Sequence, residues 1–241
     1  MLHRDLSTVY KNRPSSNGHP PALKLRWTRS AMDSINYLSM KQIYLIRHST
    51  PNVGKGVCYG QSDIDVIDSF ADEAAVIKSF LPAQIDAVYS SPLLRCKKLG
   101  QYLFPAREIV YENSLMEIHC GSWEMRNWDD IPTAEVMPWM NDFVNVRIPG
   151  GESYADLYQR VTACFEKISL DKGESIAIIA HGGVIRSILS HITSTPLADS
   201  FQAFRIHYGC AIRLTGAGSN WLPHFLSNIP GDAERHKPSY F

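Results

Sequence analysis

The stretch YLIRHSTP, Tyr44 to Pro51, ends an apolar run in an arginine and a histidine side by side, with small residues after them. A strand that merely turned would finish as well in Asn, Gly or Ser. Arg47 and His48 instead bring two nitrogen-rich side chains to one spot, which suits an anion. A second apolar run, IAIIA, ends in His181-Gly182-Gly183. In open α/β sheets the ligand crevice lies beyond the carboxyl ends of the strands, so His48 and His181 are expected to converge. One such histidine alone is more simply a hydrogen-bonded strand end. Two of them, one beside an arginine and one opening a glycine-led helix, point to a site. The free N–H groups of that helix start, Gly182 first, add a positive dipole end.

Two further segments carry chemistry. In YSSPLLRCKKL, Arg95 falls one turn into a helix whose start lies at a strand end, from where it can point back into the crevice. Taken alone, an arginine there is usually a solvated surface residue. In LMEIHCGSWEMRNWDDIP, Glu117 sits between apolar residues ahead of a Gly-Ser-Trp turn, a place where a carboxyl group can be shielded and kept protonated. A surface carboxylate is the plainer alternative for that residue by itself.

The elements needed to position these residues follow from the pattern. Short β-rich runs at Gln42–Ile46, Ile85–Tyr89 and Ser175–Ala180 alternate with helical spacing over Glu73–Leu81, Leu93–Leu103, Ser153–Ile168 and Gly182–Ser190. Leu157, Val161, Phe165 and Ile168 form one helical stripe, and Ser153 with Asp156 reads as its starting cap. Near the end, GCAIRLTGAGSNWLPHFL reads as two strands around a Gly-Ser-Asn turn. This alternation predicts a three-layer α/β fold, with a mainly parallel central sheet and helices on both faces. Residues 111–151, rich in Trp, Met and Pro, fit neither period and are expected to be an inserted lid. Residues 1–40 are rich in Pro, Ser, Asn and basic residues without periodicity, and read as a loosely attached extension to a single domain over 41–241. On that reading the functional chain begins at or near Met40.

Bulk properties narrow the function. Of 241 residues, 44% are hydrophobic, and Lys+Arg and Asp+Glu balance at 24 each, so neither a nucleic acid nor an acidic membrane is expected as a general partner. An anion must be held by a few local residues. Cys58, Cys96, Cys120, Cys164 and Cys210 are widely spaced with no C-x-x-C, a pattern of reduced thiols in the cytoplasm. No metal-ligand spacing is present, so neither metal nor other cofactor is expected.

Assembled, the sequence closely resembles the histidine phosphatase superfamily, also called phosphoglycerate-mutase-like. LIRHST, SSPLLRC, LMEIHCGSWE, PGGES and AHGGVIR occur in the family's order from about Met40 to the C-terminus. The resemblance implies that His48 is a nucleophile that becomes phosphorylated. It implies that Arg47, Arg95 and His181 hold the phosphoryl oxygens and that Glu117 gives and takes a proton. The substrate is then a small phosphomonoester. Where a glycine commonly follows the Arg-His pair this chain has Ser49, which bears on substrate fit more than on activity. Thr50, Tyr59, Gly60 and Gly182 are expected to contact phosphate or substrate.

Mutases of the family typically carry Glu-Ser-x-x-Asn after the first histidine and Arg-x-Tyr-Gly after the acid. Here STPNVGKG and IHCGSWEM stand in those places and look like the phosphatase side. GVCYGQSDIDV and GSWEMRNWDDI look most like α-ribazole-5′-phosphate phosphatases, which act in assembling the cobalamin nucleotide loop. Tyr59 or Trp123 is then expected to stack on a flat base, and Glu152 at most to cap the helix after it. The alternatives are a phosphatase of sugar phosphates, a mutase, or a phospho-ligand binding module without catalysis. Oligomeric state is not legible.

Overall fold

A computed structural model describes residues 40–231 and 237–239, so the expected extension over 1–40 lies outside the described residues except for Met40. The central element is one six-stranded sheet in the order β3-β2-β4-β1-β5-β6. Its strands are β1 (Lys41–Arg47), β2 (Ala87–Ser90), β3 (Ile109–Tyr111), β4 (Ser175–Ala180), β5 (Ala211–Ala217) and β6 (Asn220–Ser227). The first four are mutually parallel, and β5 and β6 run antiparallel along one edge. β1 and β4 are buried over nearly their whole length, as strands covered on both faces must be.

Alternation along β1 divides the core. Ile43 and Leu45 face one cluster with α4 (Tyr154–Ser169) and α5 (Gly182–Thr193), whereas Tyr44 and Ile46 face another with α1 (Phe70–Ser79) and α2 (Leu94–Leu103). The Leu157-Val161-Phe165-Ile168 stripe of α4 is fully buried in the first cluster. The α4 start is a capping box: Ser153 Oγ accepts from the Asp156 N–H at 3.2 Å, and Asp156 Oδ2 accepts from the Ser153 N–H at 2.9 Å. α1 begins three residues earlier than its spacing suggested, and α5 runs three residues longer, to a left-handed Ser194.

Residues 111–151, expected to be an inserted lid, contain short helical elements. They hold 3-10 turns at 113–115, 121–123 and 128–130, and the helix α3 (Thr133–Asn141), which contains Pro138. Trp123, Trp128, Ile131, Val136 and Ile148 form a third hydrophobic cluster there, joined by Cys58 and Cys120. The short helix α6 (Ser200–Ala203) precedes the loop into β5. No helix among the described residues is long and apolar enough to cross a membrane.

Candidate active site

Parallel pairing decides the centre of the site. Arg47 of β1 is opposite Ala180 of β4, so the next residues, His48 and His181, emerge side by side with ring centroids 5.1 Å apart. The His48 backbone is held on both sides: its N–H donates to the Ala180 carbonyl (3.0 Å), and its carbonyl accepts from the Gly209 N–H (3.1 Å). β2 ends beside β4, and α2 then delivers Arg95, fully buried, to the same place.

Arg95 Nε–H points at His48 Nε2 at 3.4 Å, while His48 Nδ1 lies 2.7 Å from the Ser49 carbonyl oxygen. A carbonyl can only accept, and Arg95 can only donate, so the proton sits on Nδ1 and the lone pair on Nε2. Burial first, then the Arg95 and Arg47 guanidinium groups, hold the His48 pKa well below its usual 6.5. Burial, Arg95 and the neighbouring His48 do the same to His181. His181 Nε2 is 2.8 Å from Ser91 Oγ. The centre is therefore two neutral imidazoles among buried guanidinium groups, able to attack and to hold an anion.

Two more donors of Arg95 are fixed by the loop after Cys58, leaving one N–H on each Nη: Nη2 donates to the Gly60 carbonyl (2.6 Å) and Nη1 to that of Ser62 (3.0 Å). Gly60 thus faces the guanidinium through its carbonyl. Its own N–H is committed to Glu124 Oε2 (3.0 Å), so it orients Arg95 and does not present that N–H to an anion. A Cβ at Gly60 would overlap the Ile118 carbonyl, which explains the glycine. Glu124 also accepts from the Gln61, Ser62 and Cys120 N–H groups and from Ser62 Oγ. Burial alone would raise its pKa, but those hydrogen bonds outweigh it and the net shift is downward.

Glu117 reaches the centre from the other side. Its Oε2 accepts from the Gly183 N–H at 2.9 Å and its Oε1 from its own neighbour Ile118 at 2.9 Å. The carboxyl group is thus seated on the first turn of α5 by hydrogen bonds, where the sequence suggested apolar shielding. A Cβ at Gly183 would run into that carboxylate, which accounts for the second glycine of the motif. Glu152 is no helix cap; Ser153 fills that place. Glu152 pairs with Arg160 Nη2 (2.7 Å) and accepts from the His119 N–H (2.9 Å), and Arg160 in turn donates to the carbonyls of Ser114, Met116 and Glu117. This pair anchors the segment that carries Glu117.

The other expected contacts separate. Arg47 Nη1 donates to the Ile206 carbonyl (2.7 Å), and its guanidinium lies against Gly182. Tyr59 is partly exposed, its ring centroid 5.5 Å from the Arg95 guanidinium. Trp123 is completely buried, edge-to-face with Trp128 and Trp139, so it cannot stack on a ligand. The Thr50 N–H is committed to Glu73 Oε2 at 2.8 Å, and Thr50 lines a neighbouring cavity of about 450 Å³ with Glu73 and Tyr208. The Ser49 hydroxyl is buried without a hydrogen-bond partner. Sequence reasoning missed Tyr208, whose ring covers the Arg47 guanidinium at 4.1 Å, and the anchors Glu124 and Arg160. The Tyr208 ring also lies 5.5 Å from that of His48. Among the described residues no group of three His, Cys, Asp or Glu could hold a metal ion.

Comparison with known proteins agrees with this geometry. The model of the histidine phosphatase superfamily (branch 1) matches residues 43–228. A Hydrogenobacter thermophilus protein described as a phosphoserine phosphatase is 26% identical over 167 residues, covering 66% of this chain and 82% of its own. A Salmonella choleraesuis protein described as a phosphoglycerate mutase is 28% identical over 193 residues, 76% of this chain and 88% of its own. The crystal structure of α-ribazole phosphatase from Shigella flexneri has the same fold. It matches with a TM-score of 0.72 at 22% identity, over 80% of this chain and all of that one.

Proposed function

The chain belongs to the histidine phosphatase superfamily; within it, we propose a phosphomonoesterase that works through a phosphohistidine on His48, with α-ribazole 5′-phosphate as substrate. The observation that carries the mechanism is the tautomer of His48, with its Nε2 lone pair facing the buried Arg95 guanidinium.

A transferring phosphoryl group spreads charge over its equatorial oxygens, so catalysis is mostly positioning and electrostatic stabilisation. Arg47, Arg95 and His181 supply both, with the N–H end of α5 behind them. His48 Nε2 attacks phosphorus and the bond to the ester oxygen breaks, with Glu117 giving that oxygen its proton. Water then attacks the phosphohistidine, Glu117 takes the water proton, and the P–N bond breaks with its electron pair returning to Nε2. Every charge and proton in this cycle comes from the chain's own residues and water.

The substrate reading rests on the loop and turn motifs GVCYGQSDIDV and GSWEMRNWDDI, on the Shigella neighbour, and on the partly exposed ring of Tyr59 near Arg95, against which a flat base can lie. The Hydrogenobacter and Salmonella relatives favour a second reading, a phosphatase or mutase of a smaller phosphate ester. A panel of α-ribazole 5′-phosphate, phosphoserine, phosphoglycerates and fructose bisphosphates decides between them by kcat/KM. The azole nucleotide is expected to lead by at least about tenfold, the worth of one good stacking contact. Equal or better turnover of a phosphoglycerate would move the assignment to the second reading. Binding with no turnover of any ester would leave a non-catalytic module.

A further inference from the structure

We propose that Tyr208 is a positioning residue of the phosphoryl cradle, and that with Tyr59 it forms a bridge holding the two arginine planes ready for an incoming phosphate. The proposal rests on the reading of the cradle as a phosphoryl site. Each guanidinium has an aromatic ring near it: Tyr208 lies 4.1 Å from that of Arg47, and Tyr59 5.5 Å from that of Arg95. A ring against the face of a guanidinium leaves its in-plane N–H groups pointing outward, where a phosphate must meet them.

The two rings are joined. Their hydroxyl oxygens are 2.6 Å apart, across 149 residues of sequence. Each tyrosine belongs to the loop that already grips its arginine. Arg47 Nη1 donates to Ile206, two residues before Tyr208, and Arg95 Nη2 donates to Gly60, directly after Tyr59. The hydroxyl contact thus couples the Arg47 loop to the Arg95 loop over the His48 ring. Tyr208 also borders the 450 Å³ cavity beside Thr50, so a truncated side chain there is not backfilled.

Calorimetric titration of the full-length chain with orthophosphate tests the bridge. Tyr208→Leu removes ring and hydroxyl, and is expected to weaken binding about tenfold. Tyr208→Phe and Tyr59→Phe each remove the shared hydrogen bond and keep the ring, and each is expected to cost about threefold. The double variant Y59F/Y208F is expected to cost about threefold as well, because the bond can be lost only once. Wild-type affinity in both Tyr208 variants, or a double-variant loss near ninefold, would overturn the bridge. Should Tyr208→Leu not fold, the two ring-preserving variants and their double decide alone. A wild type that binds orthophosphate but hydrolyses no monoester sinks the phosphatase reading while leaving the bridge measurable. One that does not bind orthophosphate sinks both.

Discussion

The two sides of the candidate site are built by different physics. On the sheet side, His48 and His181 stand together because two parallel strands end at paired residues, Arg47 and Ala180. Backbone register alone fixes them. On the loop side, Glu117, Arg95's carbonyl partners and Tyr59 hang on irregular chain, and two half-buried carboxylates pin that chain: Glu124 gathers the 60–62 and 120 amides, and Glu152 with Arg160 gathers 114–119. The sheet side needs no side chain to hold its shape. The loop side depends on a handful of charge-assisted hydrogen bonds, and is therefore the side where a single polar substitution changes activity without touching a reacting atom.

Removing His48, the proposed sheet-side nucleophile, is the severest test. His48→Ala is expected to lower kcat by about 10⁴-fold or more, with the fold intact by circular dichroism and no acid-labile phosphate trapped by rapid quench. Retention of turnover within tenfold would break the assignment. The loop-side counterpart is Glu124→Gln, which keeps the shape but replaces an acceptor of five donors by a neutral amide. A drop of about tenfold in kcat/KM is expected, together with about 2 kcal/mol of stability in urea, while phosphohistidine still forms. Loss of stability with no loss of kcat/KM would show that the loop does not set Arg95.

The smallest effect is expected from pH. His48 and His181 have folded pKa values depressed below the usual 6.5, so their contribution to stability is complete above 6.5. Below that value the unfolded chain takes up their protons first, and stability falls as pH approaches the folded values. Glu124 follows lower down, since its folded pKa lies beneath the ordinary 4.5 and its contribution is lost as pH falls through it. Melting temperature is expected to be level from pH 8 to 7, to decline between 6.5 and 5, and to decline further below 4.5. The acid limb of kcat/KM is expected well below pH 6.5, because Nε2 stays unprotonated there. A melting temperature that rises from pH 6.5 to 5 would contradict the buried neutral pair.

This division also explains what could be read in advance. Strand ends are visible in a sequence, because apolar runs have sharp boundaries and parallel sheets align them; hence Arg47, His48, Arg95 and His181 were legible, as were the α4 cap and the terminal hairpin. Tyr208 and Glu124 were not, because each is defined by partners dozens of residues away; Arg160 sits in a legible helix, but the carbonyls it holds at 114–117 lie in a segment without period. Trp123 illustrates the same limit: an aromatic in a Gly-Ser-Trp turn looks like a ligand contact until its packing against Trp128 and Trp139 is seen. For Glu152, the one available signal was Arg160 two helical turns on.

The clamping of His48 has a consequence for the cycle as a whole. Its amide is tied to β4 and its carbonyl to the turn before β5, and its ring nitrogen to Ser49, leaving the imidazole almost no freedom to swing. In the proposed cycle, loading and unloading then occur at one stationary point, and it is the alcohol and the water that exchange places around it.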